Sequence, residues 1–170
     1  MTVTDLRTDV ETGSFVIVAE YAASADQVWE LWANPRLLER WWGPPSHPAT
    51  VTTHDMSPGG LVKYYMTGPD GERYHGGWRV VAAQPPVRLE VEDYFADPDG
   101  NEDTSLPGST TIVTVAERAD GTTEMVIDTR YRSPEDLHKV LEMGMEEGIR
   151  AALGQTDALL ARHDGRRAPR

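Results

Sequence analysis

Cysteine is absent from all 170 residues. That removes disulfides, thiolate metal ligands and cysteine nucleophiles together. No apolar run approaches the roughly 20 residues that cross a bilayer as a helix. The opening stretch, MTVTDLRTDVETG, lacks a basic segment followed by an apolar one, so no signal peptide is expected. Positive charge is scarce: Lys and Arg total 16 against 28 Asp and Glu, for a formal net charge of -12. Phosphate backbones are bound by clustered cations. The only basic cluster here is the tail RRAPR at 166–170, so nucleic acid is not an expected partner. These absences lead to the expectation of a soluble cytoplasmic protein without membrane insertion.

The apolar pattern is that of a folded chain with a real core. Residues 1–12 are polar and read as a loose terminus, as do 164–170, leaving 13–163 as one domain. SFVIVAEYAA (14–23) reads as a strand. Ser24 and Gln27 then form a capping box for a helix carrying Val28, Trp29, Leu31 and Trp32 at helical spacing. Asn34-Pro35 ends that helix and starts a second short one, PRLLERWW, which Gly43-Pro44-Pro45 stops.

After residue 48 the period switches to two. Strands are expected over 49–56, 61–68, 72–83, 87–96, 109–118 and 122–131, joined mostly by tight Gly- or Pro-containing turns. The long connection 97–108 (DPDGNEDTSLPG) is acidic. Its spacing fails as a calcium loop, because Glu102 stands where a glycine is needed and Gly108 where a glutamate is needed. Ser133, Pro134 and Asp136 start a final helix whose apolar stripe runs to about residue 163. The reading is an α+β fold. A curved antiparallel sheet of about seven strands wraps one long C-terminal helix, with two short helices after the first strand.

Several stretches carry a resemblance. VWELWANPRLLERWWGP (28–44), DMSPGG (55–60), Gly68-Pro69-Asp70-Gly71, Gln84-Pro85-Pro86-Val87-Arg88-Leu89 and MGMEEGI (143–149) resemble, in order and across nearly the whole chain, the START-like (SRPBCC, helix-grip) superfamily. Within it they look like the AHSA-type group, named for homologues of the heat-shock-protein ATPase activator. Ser57 and Ile149 depart from that group's usual arginine and tryptophan; the second change alters packing or pocket volume under the helix. The resemblance implies a cavity between sheet and C-terminal helix that holds a hydrophobic small molecule such as a lipid, a polyketide or another aromatic metabolite. It supplies no catalytic residues and no cofactor.

Strand parity nominates the cavity lining: Tyr64 and Met66, Tyr74 and Trp78, Val91 and Phe95, Met125 and Ile127. Val62, Val80 and Leu89 share those faces, and Met143, Met145 and Ile149 close from the helix. The simpler alternative is that the same side chains fill a core. Asp93 shares parity with Val91 and Phe95 and points inward if its strand is regular. There it would anchor a ligand's polar group or act as an acid or base. The alternative is a bulge that turns it outward, or a pairing with an arginine or tyrosine. His75 is a second acid–base candidate, although the outer face suits it better. No histidine spacing suggests a metal site, and no nucleophile–base motif is present. At the end of the second short helix, Trp41 shares a face with Leu37 and Leu38 and is expected inside. Trp42 is then expected at the cavity rim.

Three functions follow from these residues and the resemblance. The first is a carrier or sequestering protein, as in a stress response. The second is a polyketide cyclase or dehydratase using Asp93, Tyr64, Tyr74 and His75. The third is a co-chaperone-like interaction module. Exposed strands around the acidic loop could support a homodimer.

Overall fold

The computed structural model describes residues 3–167, with side chains up to residue 161. Its elements are β1 (Val3–Asp9), β2 (Ser14–Tyr21), α1 (Ala25–Ala33), α2 (Pro35–Trp41), β3 (Ala49–His54), β4 (Leu61–Thr67), β5 (Arg73–Gln84), β6 (Arg88–Ala96), β7 (Ser109–Glu117), β8 (Thr123–Tyr131), α3 (Pro134–Glu142), α4 (Met145–Leu153) and α5 (Thr156–Arg167). The strands form one curved antiparallel sheet in the order β1-β2-β8-β7-β6-β5-β4-β3. The α+β helix-grip architecture is as expected.

Two expectations are corrected. The sheet has eight strands, because residues inside the segment read as loose form β1 and pair with β2 from Val3↔Ala19 to Asp9↔Ser14. An edge strand hydrogen-bonds on one side and needs little apolar alternation, so TVTDLRTD carried no clear signal. The last helix is not continuous but comes in three pieces. Gly144 adopts φ +83°, a left-handed conformation that only glycine takes up easily, and this separates α3 from α4. Gly154 and Gln155 separate α4 from α5, with the Gln155 N–H donating back to the Ala152 carbonyl. Residues 168–170 of the expected loose tail lie outside the described residues, as does the side chain of His163.

The local signals otherwise act as read. Ser24 accepts from the Gln27 N–H while the Gln27 side chain accepts from the Ser24 N–H. Asn34 caps α2 by accepting from the Arg36 N–H. Ser133 caps α3 through the Asp136 N–H. The acidic 97–108 connection folds back on the sheet's outer face, where Glu102 accepts from Arg79 at 2.7 Å and bridges to Ala96.

The inner face is filled unevenly. At one end, α1, α2 and α5 cover the sheet with fully buried side chains: Trp32, Trp41, Met125, Leu153 and Tyr21. Polar groups are paired there. The Trp32 indole donates to the Met125 sulfur at 3.2 Å and Trp41 to the Leu31 carbonyl at 2.8 Å. Tyr21 bonds Thr156 at 3.0 Å, which pins the start of α5 to β2. Towards α3 and α4 the apolar side chains are only partly covered: Met66, Phe95, Tyr131, Leu141, Met145 and Ile149. Thus one end of the inner face is a solid core, and the other, the cup, is only partly covered, with Met145 and Ile149 of α4 packed against it.

Candidate functional site

The partly covered end gathers the polar groups of the inner face. Asp93 stands on β6, in register with Trp78 of β5 on one side and Ser109 of β7 on the other. The pairing is regular there, so the carboxyl faces inward. The bulge in this pair of strands falls further along, between Val80 and Ala82. The Tyr64 hydroxyl of β4 and the Tyr94 N–H lie close enough to the carboxyl to favour its charged form. Tyr131 of β8 lies across from Asp93, feels its charge, and bonds Ser109. Thr111 and Thr129 share a buried hydrogen bond of 2.9 Å one step deeper.

Burial sets the electrostatics of this group. Removal from water favours the neutral carboxylic acid and outweighs those two groups, pushing Asp93 up to about 7. Burial and the neighbouring carboxyl push Tyr64 and Tyr131 well above the ordinary phenol value, so both stay neutral. Among the described residues, no lysine or arginine acts on Asp93.

Two indole N–H groups in the same place lack acceptors. The Nε1 atoms of Trp42 and Trp78 are buried without a hydrogen-bond partner. Their rings meet edge to face with centroids 4.8 Å apart, and Trp42 also meets the Tyr64 ring at 5.8 Å. The Trp42 indole N–H lies close to the Tyr64 hydroxyl and favours its charged form, short of a formed hydrogen bond. Elsewhere in the core, by contrast, the Trp32 and Trp41 N–H groups are satisfied.

Glycine makes room for the cluster. A Cβ on Gly76 would lie 2.6 Å from the Tyr64 hydroxyl oxygen. Gly76→Ala is therefore expected to displace Tyr64 from Asp93 and lower stability by about 1–3 kcal/mol. Thermal melting would show the loss. Retained stability would mean that Tyr64 can relax without cost.

The remaining predicted site residues divide clearly. Trp78, Val91, Met125 and Ile127 are sealed in the core, at 0–4 % exposure. Trp42, Met66, Phe95, Met145 and Ile149 are half-buried around the cup. Tyr74 is corrected: it has the inward parity of Trp78 but sits beyond the helical cover, 56 % exposed and packed on His47. His75 lies on the outer face that suits it better, where its alternation with Trp78 puts it against Tyr65. Met143, expected to help close the cup, is exposed at the α3–α4 break. Tyr131 and Ser109 were missed. Tyr131 shares the inward parity of Met125, Ile127 and Thr129 but was not counted among the site residues.

Among the described residues, no group of three or more His, Asp or Glu side chains could hold a metal ion. No described helix is long and apolar enough to cross a membrane. A surface cleft of about 790 Å³ between α2, β3 and α5, lined in part by Arg36, Arg40 and Gln155, shares no residue with the cup.

A curved antiparallel sheet gripping C-terminal helices, with a part-polar cup between them, defines a helix-grip protein of the START-like superfamily. The chain belongs to the family described as activator of Hsp90 ATPase homolog 1-like protein, whose model matches residues 22–161. It is similar to the crystal structure of protein Ms6760 from Mycobacterium smegmatis, at 49 % identity over 93 % of this chain and 96 % of that one, with a TM-score of 0.85. It is also similar to a solution structure from Arthrobacter aurescens, at 45 % identity over 95 % and 93 % of the two chains, with a TM-score of 0.89. DynU16, described as a putative protein in the dynemicin biosynthetic locus, shares the fold at 18 % identity and a TM-score of 0.59. The match covers 85 % of this chain and 47 % of DynU16. No curated protein matches.

Proposed function

We propose that this protein binds a hydrophobic small molecule in the cup between the sheet and α4, as a cytoplasmic carrier or sequestering protein of the kind used in stress responses. One observation carries the reading: the inner face is solid at one end and only partly covered at the other. Incompletely covered Met, Phe and Ile side chains suit an adaptable apolar site. The helix over them has an exposed left-handed glycine at its start and no side-chain cap. Nothing in this arrangement requires chemistry.

The test is binding. The purified full-length protein is expected to raise the fluorescence of Nile red, an uncharged apolar dye, saturably. In native mass spectrometry it is expected to carry an adduct that denaturation releases. A flat dye titration together with a bare native mass would reject the reading.

A second reading has one observation in its favour. An Asp93 carboxyl that titrates near 7 between two tyrosines could exchange protons with a bound polyketide, as a cyclase or dehydratase requires. Turnover of such a substrate that is lost in Asp93→Asn would favour it over carriage alone.

A further inference from the structure

The two orphaned indoles say something about the ligand. Burying an N–H without an acceptor costs about 1–3 kcal/mol, and native proteins rarely leave one so. Here two occur together, on Trp42 and Trp78, in edge contact with each other and with Trp78 in register with Asp93. The other two tryptophans of the Trp32–Trp41–Trp42–Trp78 stack have partners, at 3.2 Å and 2.8 Å. The lack is therefore confined to these two indoles, Trp42 at the edge of the partly covered end and Trp78 buried beneath it.

We propose that the bound molecule is an uncharged apolar compound with one hydroxyl or carbonyl group at its buried end. Its oxygen accepts from the Trp42 and Trp78 N–H groups, and a hydroxyl also donates to Asp93. Carboxylate-bearing ligands, fatty acids included, are excluded. This rests on the binding function proposed above and narrows its ligand class.

Three features support the choice. The donors are neutral indoles, which satisfy an oxygen without neutralising an anion. Among the described residues no lysine or arginine acts on Asp93, so a carboxylate brought beside it would be a second buried acid without a cation there to balance it. The other groups facing the site from neighbouring strands, Tyr64 from β4 and Tyr131 from β8, are also neutral, and both are already engaged, with Asp93 and Ser109. A hydroxyl completes the set: it accepts where acceptors are missing and donates where a carboxylate can still accept.

Three probes sharing one hydrocarbon separate this from the general binding function: 2-methylnaphthalene, 2-naphthalenemethanol and 2-naphthoate. Calorimetry with the full-length protein at pH 7.5 is expected to show the alcohol binding roughly ten-fold more tightly than the methyl compound, the worth of one or two well-made hydrogen bonds. The naphthoate is expected to bind more weakly than either. In ¹⁵N-labelled protein the alcohol should move the Trp42 indole N–H resonance downfield and the methyl compound should not. Trp42→Phe keeps a ring and removes the N–H, so the alcohol-to-methyl ratio should fall toward one. Equal affinities for alcohol and methyl compound, or naphthoate binding best, would overturn the inference while leaving an apolar cup in use. Failure of all three probes to bind would overturn the inference, while the Nile red titration and native mass decide the binding function separately. If Trp42→Phe is poorly folded, the indole resonances of the wild-type protein decide alone: no shift with the alcohol sinks the inference.

Discussion

Asp93→Asn is expected to stabilise the protein at pH 8 and to leave it nearly unchanged at pH 4. The ordinary value for this carboxyl is 3.8, and the folded protein raises it to about 7 because burial penalises the charge. Between those values the folded state holds a proton that the unfolded state has released. Stability therefore falls as pH rises through this window and is level on either side of it, the reverse of a salt-bridged aspartate. A shift of about three units at about 1.4 kcal/mol each sets an upper bound of about 4 kcal/mol. Asp93 keeps part of its surface exposed, so about 2 kcal/mol is the more realistic loss. Asparagine cannot ionise and escapes it. Tyr64 and Tyr131, the titratable groups facing Asp93, stay neutral throughout. The exposed carboxyls held low by local hydrogen bonds, Asp55, Asp103 and Asp120, act in the opposite sense but are common to both proteins. Urea unfolding of the two proteins at half-unit steps from pH 4 to 8 isolates the Asp93 contribution as the difference in midpoint. A difference that does not grow with pH would mean that water reaches the carboxyl freely.

The sheet, the two short helices and their caps were legible because their signals are local. Period-two strands, Ser24 with Gln27, and Asn34 before Pro35 each act within a few residues. What escaped depends on position across the sheet. Tyr74 has the right parity, but parity does not say where the helical cover ends. The Gly144 break sits inside a stripe whose apolar spacing runs on unbroken, and only the backbone angle reveals it. Asp93 was legible as an inward acid, whereas its partners were not. Tyr64, Ser109 and Tyr131 come from three other strands, and Ser109 meets Tyr131 only through the β7–β8 register. The unsatisfied indoles are a property of packing that no sequence pattern encodes.

Trp41→Ala and Trp42→Ala are expected to fail in different ways although the residues are adjacent. Trp41 is 1 % exposed and stacked edge-on against Trp32 at 4.9 Å. Its removal opens a large cavity in the solid end of the core, at a cost of about 3–5 kcal/mol. It also deprives the Leu31 carbonyl of its indole donor, which places the loss at the top of that range. Trp42 is half-buried and its N–H has no acceptor, so its deletion forfeits its contacts with the rings of Trp32, Trp41, Tyr64 and Trp78, about 2–3 kcal/mol. Its position is fixed from outside, by the Gly43 carbonyl accepting from the Gln155 side chain at 2.8 Å, so the chain around it should hold its course without the ring. The Trp42 variant should therefore remain folded at 25 °C and lose Nile red affinity; the Trp41 variant should lose cooperative unfolding or show a midpoint lowered by most of the protein's stability. Urea denaturation and dye titration on both variants read the two effects separately. Equal destabilisation with unchanged dye binding by the Trp42 variant would show that both indoles belong to the core and that the cup lies elsewhere. The tandem pair thus joins the two halves of the molecule: the rings meet at 5.5 Å and both pack on Trp32, but Trp41 is sealed in the solid end while Trp42 reaches on to Tyr64 at the edge of the open one.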